Sequence, residues 1–326
     1  MDTGTHVVMG IALGGLATLD PVVASNHATE ASVLIATIAG SQIPDIDTIL
    51  KLRNNAIYIR NHRGITHSIP AVILWPLVLL AVIFPFFHGA NLLHLWAWTF
   101  AAVFLHVFVD IFNAYGTQAL RPFSHKWVAL GVINTFDPFI FGIHVLGILV
   151  WLFGANPGYT FLVMYVIIIG YYLQRFSARH KVLSEVRKLI PDATEIIIAP
   201  TIKFHKWKIA AMNQNQFFVG KSLFGKVEIL DYFNRVPVPD TAVIEAAKKD
   251  KNLSAFLSFS PVYRWELDEY DDFYEVRFID LRYRSNGHYP FVAVVQLDRN
   301  LKRINSYTGW VFSEKKLRKK LNILPS

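Results

Sequence analysis

Long apolar segments are the feature that most limits what this chain can fold into. Four segments reach, or nearly reach, the roughly 20 apolar residues that a membrane-spanning helix needs. They lie at about residues 68–87, 91–113, 139–155 and 157–174. Two shorter segments, 7–19 and 31–43, have 13 residues each and are rich in Gly and Ala. Small residues let helices approach closely. We therefore expect a short N-terminal helical hairpin, which either crosses the membrane or enters and leaves it on one side.

The charged residues are concentrated in the second half of the chain. Residues 1–174 hold six Lys/Arg and seven Asp/Glu, whereas residues 175–326 hold 26 Lys/Arg and 17 Asp/Glu. We predict a multi-pass α-helical membrane domain over residues 1–175, with about four long spans plus the short hairpin. A small soluble domain, mainly antiparallel β (α+β), is predicted over residues 176–326. The sequence contains no cysteine, which excludes disulfides, thiolate metal ligands and cysteine nucleophiles.

The basic residues of the loops predict how the chain is oriented in the membrane. The connections 88–90 and 154–158 contain no Lys or Arg, whereas the loops 51–67 and 114–138 and the start of the tail after residue 174 are basic. Cytoplasmic loops carry an excess of Lys and Arg. We therefore predict a multi-pass protein of the cell membrane, with the C-terminal domain in the cytoplasm.

Histidines and aspartates collect at the predicted cytoplasmic ends of the apolar segments. They are His6, Asp45, Asp47, His62, His67, His106, Asp110 and Asp137. His106 and Asp110 are four residues apart, so they share one helix face. An ionisable residue inside an apolar helix usually faces the bundle interior or a cavity. The pair could bind one metal ion, or it could form a His–Asp hydrogen bond between helices.

The segments "IPDIDTI" and "HRGITHS" each have two interpretations as well. Asp45 and Asp47 repel each other unless a cation lies between them, but Asp47 could also cap a helix. His62 and His67 could be metal ligands or interfacial polar residues. Arg63 could bind a phosphate with its planar guanidinium, or it could anchor the helix end at the membrane surface.

Together these residues form a set of nitrogen and oxygen ligands without sulfur. The candidate metal ligands are His6, Asp45, Asp47, His62, His67, His106 and Asp110. Such a set suits a divalent metal, zinc first, with manganese or iron as alternatives. A bound metal would activate water for hydrolysis. Asp47 would then be a candidate general base and Arg63 an anion binder, with Thr66 and Ser68 holding the imidazoles in one tautomer.

A non-enzymatic role is the alternative to a hydrolase: a regulatory or sensor protein of the membrane, or an ion or lipid carrier. Intramembrane His and Asp residues also build ion and proton paths. The two functions differ in geometry. A hydrolase needs three or four ligands at one point, whereas a path needs them spread along the membrane normal.

His6, "PDID", "HRGITHS" and "HVFVD" together resemble the motifs of a family of bacterial membrane-bound metal-dependent hydrolases, the YdjM-like or YfhP-like proteins. The resemblance covers about residues 1–175. It implies a multi-pass membrane protein with a metal site. The order Asp, His, His-x-x-x-Asp also resembles part of the site in zinc-dependent phospholipases C and single-strand zinc nucleases. That likeness implies a phospholipid or another phosphoester as substrate. The chain has no later His-x-x-x-Glu, so the full three-zinc cluster of those enzymes is not implied.

The second half favours strands. The predicted strands are "TEIIIAP", "WKIAAMN", "QFFVGKSLFG", "AFLSFSPVYRWELDEY", "VRFIDLRYR" and "FVAVVQLD". The pair Asn286-Gly287 predicts a hairpin turn. The segment "VPDTAVIEAAKKDKN" predicts a short helix. Residues 175–190 predict a helix along the membrane surface. The basic stretch "EKKLRKK" is a solvated face or a contact for anionic lipid or nucleic acid. No helix-turn-helix or RNA-binding motif is present, so nucleic acid is not an expected partner.

Overall fold

A computed structural model describes residues 1–52 and 63–321. The chain divides into two compact units. Among the described residues, the first unit comprises 1–48, 63–180 and 200–204, and the second comprises 49–52, 181–199 and 205–321. The predicted domain boundary between residues 175 and 176 stays a prediction, and one continuous helix, Pro157–Leu189, runs through it.

The N-terminal part of the described chain is helical. Its α-helices are α1 (Thr3–Leu16), α2 (Pro21–Ala24), α3 (His27–Gly40), α4 (Ile69–Ile83), α5 (Leu92–Asp110), α6 (Pro138–Leu152) and α7 (Pro157–Leu189). Short 3-10 helices cover Ala17–Leu19, Ile43–Leu52, Ile65–His67 and Phe84–Phe86. Polar side chains begin several of these helices by accepting bonds from backbone N–H groups that have no partner inside the helix. Ser68 begins α4 and Asp137 begins α6 in this way.

Small residues bring α1 and α3 into direct contact. A Cβ atom added to Gly10 would lie 2.8 Å from the Cα of Ile38 and 2.8 Å from the carbonyl oxygen of Thr37. Only glycine fits where backbones approach so closely. The expected close-packed N-terminal hairpin is therefore present.

Within residues 1–52 and 63–321, four helical stretches are long and apolar enough to cross a membrane. They are His27–Leu50, Ile69–Phe86, Leu92–Asp110 and Pro157–Leu189. Three of these coincide with predicted long spans. The fourth differs, because Asn26 begins α3 early and a 3-10 helix continues it past Ile43, so that the segment predicted as short runs over 24 residues. Conversely, the predicted span 139–155 is the 15-residue helix α6.

The second unit contains two four-stranded antiparallel sheets. The first sheet has β1 (Glu195–Pro200), β2 (Lys206–Met212), β3 (Gln216–Leu223) and β4 (Lys226–Asn234), in that order. The second has β5 (Tyr263–Glu269), β6 (Phe273–Asp280), β7 (Phe291–Asp298) and β8 (Arg303–Trp310), also in order. The helices are α8 (Ala242–Lys248), α9 (Lys251–Phe259) and α10 (Glu314–Lys320). The predicted fold class, membrane helices followed by a mainly antiparallel α+β domain, is confirmed.

Several local predictions in this unit need correction. The segment "AFLSFSPVYRWELDEY" is not one strand, because its first residues belong to α9. Asp250 starts that helix by accepting bonds from the N–H groups of Asn252 and Leu253. The predicted strand "VRFIDLRYR" ends at Asp280, where a 3-10 turn begins. Residues 175–189 are helical, as predicted, and are continuous with the preceding span in α7. The Asn286-Gly287 turn is present, and both residues have positive φ.

Candidate metal centre

Four side chains of the helical bundle present ligand atoms to one point. They are Asp45, His67, His106 and Asp110, and their ligand atoms all lie within 4.8 Å of one another. The Nε2 atoms of His67 and His106 are 3.3 Å apart. His67 Nε2 lies 3.6 Å from an oxygen of Asp45 and 3.6 Å from an oxygen of Asp110. For His106 Nε2 both of these distances are 3.8 Å. His67, His106 and Asp110 are fully buried.

The other nitrogen of each imidazole fixes its tautomer. His106 Nδ1 lies 2.6 Å from the carbonyl oxygen of Ser41, which can only accept, so Nδ1 carries the proton. His67 Nδ1 lies 3.0 Å from Thr66 Oγ1, whose own proton goes to Asp47 at 2.8 Å. Both Nε2 atoms therefore direct lone pairs at each other. Two lone pairs between two carboxylates could hold a cation, and this orientation of histidines by neighbouring acceptors is typical of metal ligands.

Three separate segments deliver the four ligands. Asp45 lies in the 3-10 helix that follows α3. His67 ends the 3-10 turn Ile65–His67, directly before the Ser68 cap of α4. His106 and Asp110 lie one turn apart near the end of α5, as their spacing predicts.

Arg63, Met1 and His6 surround Asp110. Arg63 Nε lies 3.1 Å from one Asp110 oxygen, and Arg63 Nη2 donates to the carbonyl oxygen of Met1 at 3.0 Å. The amino nitrogen of Met1 contacts the other Asp110 oxygen. His6 Nε2 lies 3.5 Å from that same oxygen, and its ring stacks on His106 with centroids 3.7 Å apart. The Arg63 side chain is thus positioned to neutralise part of the Asp110 charge at the centre.

The remaining predicted site residues lie at different distances from this centre. Asp47 is outside the four-residue group, and its carboxylate accepts from the backbone N–H of Arg63 and from Thr66. His62 lies outside the described residues. Asp137 accepts from the hydroxyl of Tyr171 at 2.8 Å besides capping α6.

Sequence reasoning did not identify two polar features of the helical bundle, one at the centre and one outside it. The Ser41 carbonyl that orients His106 is a backbone group, so no residue type marks it. His94 pairs with Asp20 at 2.5 Å, and Trp98 donates to the same carboxylate at 3.2 Å. The spacing of four residues between His94 and Trp98 along α5 is the signal that could have found them.

The fold and the site define a multi-pass helical membrane protein with a buried His/Asp cluster that could hold a metal ion. The chain belongs to the YdjM inner membrane protein family, whose sequence model matches residues 1–182. Residues 191–233 match the YfhP middle domain, and residues 242–321 match the YfhP C-terminal alpha/beta plait domain. The family expected from the motifs is therefore confirmed, and the chain is a membrane protein.

The chain is also 63% identical over 324 residues to a Bacillus subtilis (strain 168) protein described as "Uncharacterized protein YfhP". The match covers 99% of each chain. No solved structure matches the chain. The likeness to zinc-dependent phospholipases C stays a prediction.

Proposed function

We propose that this protein is a membrane-bound metal-dependent hydrolase that acts on a phosphoester, a lipid-type molecule being the substrate class. The observation that carries the proposal is the convergence of two imidazole lone pairs and two carboxylates at one buried point. The grouping of all four side chains around one point favours a metal centre over an ion path, because the ligands of a path would be spread along the membrane normal.

The donor set fits a divalent metal. With metal–ligand bonds of about 2.0–2.2 Å, the edges of a tetrahedron are about 3.3–3.6 Å long. The Nε2–Nε2 and Nε2–carboxylate separations are 3.3–3.8 Å. Two histidines with carboxylates suit zinc, and manganese or iron also accept such mixed sets. Asp45, His67, His106 and Asp110 are the proposed ligands, with His6 beside them and His62 and Asp47 as the other predicted candidates.

A divalent metal held by Asp45, His67, His106 and Asp110 would supply Lewis acidity, which would lower the pKa of water at the site to about 7. Arg63 presents a planar cation beside the centre, where it would attract an anionic phosphoester. Asp47 remains the predicted general base, but in this arrangement it also positions His67 through Thr66. The two carboxylates would thus have different roles: Asp45 would bind the metal, and Asp47 would hold the loop that carries His67.

The location of the centre relative to the membrane follows from the basic loops. The segment 51–67, which carries His67, is one of the loops that the positive-inside rule assigns to the cytoplasm. We therefore place the centre at the cytoplasmic face and the C-terminal domain in the cytoplasm. A substrate would reach the centre from that face of the bilayer.

Metal content of the purified protein tests the proposal. Wild-type protein loaded with zinc and dialysed should retain about one metal per chain, whereas Asp110→Asn and His106→Gln should lose it, because an amide is a poor ligand for zinc. Asp20→Asn is the matched control, since Asp20 also pairs with a histidine, His94, but lies outside the cluster. Both site variants should still accumulate in the membrane.

Hydrolysis of bis(4-nitrophenyl) phosphate by the same samples provides the second measurement. Activity should follow metal content across the wild type, the control and the two site variants. A wild-type protein that retains no metal would refute the metal centre. Metal bound without hydrolysis of any phosphoester would favour the non-enzymatic alternative, a sensor or a carrier.

A further inference from the structure

A two-residue hairpin turn joins β3 to β4, and an aromatic side chain stands at its tip. Strand β3 ends at Leu223 and β4 begins at Lys226, so Phe224 and Gly225 form the turn. Both turn residues have positive φ, 50° for Phe224 and 84° for Gly225. Turns of this kind favour asparagine, aspartate or glycine, and a bulky residue rarely adopts positive φ. The backbone of Phe224 is therefore strained.

The fold buries little of this aromatic residue in return. Phe224 is 76% exposed, and Leu223 beside it is 44% exposed. The ring of Phe224 stacks on the ring of His205, with centroids 4.3 Å apart. The N–H of Phe224 donates to the carbonyl oxygen of His205 at 3.0 Å. The turn is thus held in one conformation with its apolar side chains facing outward, and backbone strain of this kind clusters at binding sites.

Lysines surround the apolar turn on one face of the first sheet. Four lysines and Leu223 share this face, because residues paired across neighbouring strands point to the same side. The pairs are Lys206 with Leu223, Lys208 with Lys221, and Leu223 with Lys226. The segments 205–208 and 221–226 contain no Asp or Glu. Glu228, at 2.9 Å from Lys221, offsets one of the positive charges.

The positive charges at this end of the sheet are close enough to repel each other. Burial, and after it the positive charge of Lys206, lowers the pKa of Lys208. An anionic surface would offset this repulsion, because an opposite charge favours the charged form of lysine. A cluster of about four or more basic residues close to a membrane helix is typical of binding to anionic lipid.

The chain holds this turn close to the bilayer. Within the first unit, Arg175 Nη1 donates to the carbonyl oxygen of Phe204 at 2.5 Å. Arg175 lies on α7, a candidate span, directly after its apolar segment 157–174. Phe204 is therefore fixed where the span leaves the apolar layer. His205, on which Phe224 stacks, is the next residue in the chain, and consecutive Cα atoms are only about 3.8 Å apart.

We propose that this basic tip binds the anionic phospholipid surface of the bilayer that holds the helices. The basic tip consists of Leu223 and Phe224 with the four lysines around them, Lys206, Lys208, Lys221 and Lys226. Leu223 and Phe224 enter the boundary between headgroups and acyl chains, where such side chains insert. The ammonium groups of the lysines contact the lipid phosphates. The surface includes none of the residues of the candidate metal centre, so its role does not depend on hydrolysis.

A fluorophore at the basic tip of the full-length protein tests the proposal. The chain contains no cysteine, so the dye NBD on Leu223→Cys reports on this position alone. The protein is placed in nanodiscs of phosphatidylcholine, with or without phosphatidylglycerol. Dithionite destroys NBD that water reaches, so its rate gives the ratio of inserted to free tip. Phosphatidylglycerol should slow the reaction severalfold at Leu223→Cys. It should not change the rate at Gln214→Cys, an exposed position in the turn at the other end of β2 and β3.

Substitutions in the labelled protein separate lipid binding from stability. Phe224→Asn introduces a residue that the turn favours, so the midpoint of thermal unfolding should not fall. The ratio of inserted to free tip should nevertheless fall about tenfold or more, because burial of the ring is lost. Lys206→Gln and Lys226→Gln should each lower this ratio about fivefold at low salt. Lys315→Gln together with Lys316→Gln removes the same charge from α10 and should leave the ratio unchanged.

Four results would overturn the proposal. The first is a label at residue 223 that reacts equally fast with and without phosphatidylglycerol. The second is a lower unfolding midpoint in Phe224→Asn with unchanged protection of the label, which would give the ring a structural role only. The third is an equal loss of protection in the α10 variant, which would mean attraction by total charge. The fourth is protection by a DNA duplex and not by phosphatidylglycerol, which would assign the basic tip to nucleic acid.

Discussion

Replacing Thr66 with valine tests how the proposed metal centre is built. Thr66 Oγ1 lies 3.0 Å from His67 Nδ1 and 2.8 Å from an oxygen of Asp47. Valine has the same branched shape but no hydroxyl, so both hydrogen bonds disappear while the packing is kept. The His67 ring can then rotate, and its Nδ1–H loses its acceptor. Loss of such an outer partner typically costs 10- to 100-fold in metal affinity, about 1.4–2.7 kcal/mol.

Competition with a chelator measures the effect. The zinc affinity of Thr66→Val should be about 10- to 100-fold below that of the wild type. Thr66→Ser keeps the hydroxyl and should remain within about threefold. Both variants should accumulate in the membrane as the wild type does. If Thr66→Val binds zinc with wild-type affinity while Asp110→Asn does not bind it, the hydrogen bond to His67 does not support the centre and the argument from the tautomer fails.

Three further predictions concern topology, packing and pH. A reporter that is active only outside the cytoplasm, fused after Ser326, should be inactive; activity would reverse the proposed orientation. Gly10→Ala should destabilise the protein by about 1–3 kcal/mol because its Cβ meets backbone atoms, whereas Gly170→Ala, with open space around it, should not lower the midpoint of thermal unfolding. The hydrogen bond from Arg284 lowers the pKa of Asp231, so Asp231→Asn should lower stability at pH 7 by about 1 kcal/mol. That difference should begin to shrink as the pH falls below about 3.9, the ordinary pKa of an aspartate, and should disappear as the pH passes the lower pKa of folded Asp231; a difference that does not shrink on acidification would contradict it.

The residues of the candidate site could be predicted largely because the bilayer makes ionisable side chains conspicuous. His106 and Asp110 stand in an apolar run, where such residues are expensive, and their spacing of four residues is enough to define a shared helix face. The partner of His106 could not be predicted in this way. The carbonyl oxygen of Ser41 reaches it only because α3 ends where it does, and every residue has a carbonyl group.

The fold can be predicted where one pattern of apolar residues dominates a segment. It is harder to predict where the apolar pattern and a helix-capping residue indicate different structures. The length of an apolar segment predicts where a span lies, but capping residues determine where its helix begins and ends. Asn26 caps α3 and so extends that helix beyond the apolar segment. In the second unit, strands β4 and β8 lack a strong apolar run, and the sequence does not indicate them. The end of helix α9 suggests a strand because Leu257 and Phe259 alternate with Ser258 and Ser260. Asp250 caps the first N–H groups of this segment, and the segment forms a helix instead.

The choice between Asp45 and Asp47 follows from helix geometry that the sequence alone did not specify. Both residues lie in the 3-10 helix Ile43–Leu52, which has about three residues per turn. Residues two apart therefore point about 120° away from each other, and the two carboxylates cannot both face one metal ion. Asp45 faces the cluster, and Asp47 faces the segment that carries His67. An α-helix, with 3.6 residues per turn, would separate the two directions by about 160°, so neither helix type brings both aspartates to one centre. The pattern Asp-x-Asp is thus better interpreted as one ligand and one residue that positions the next ligand than as a chelating pair.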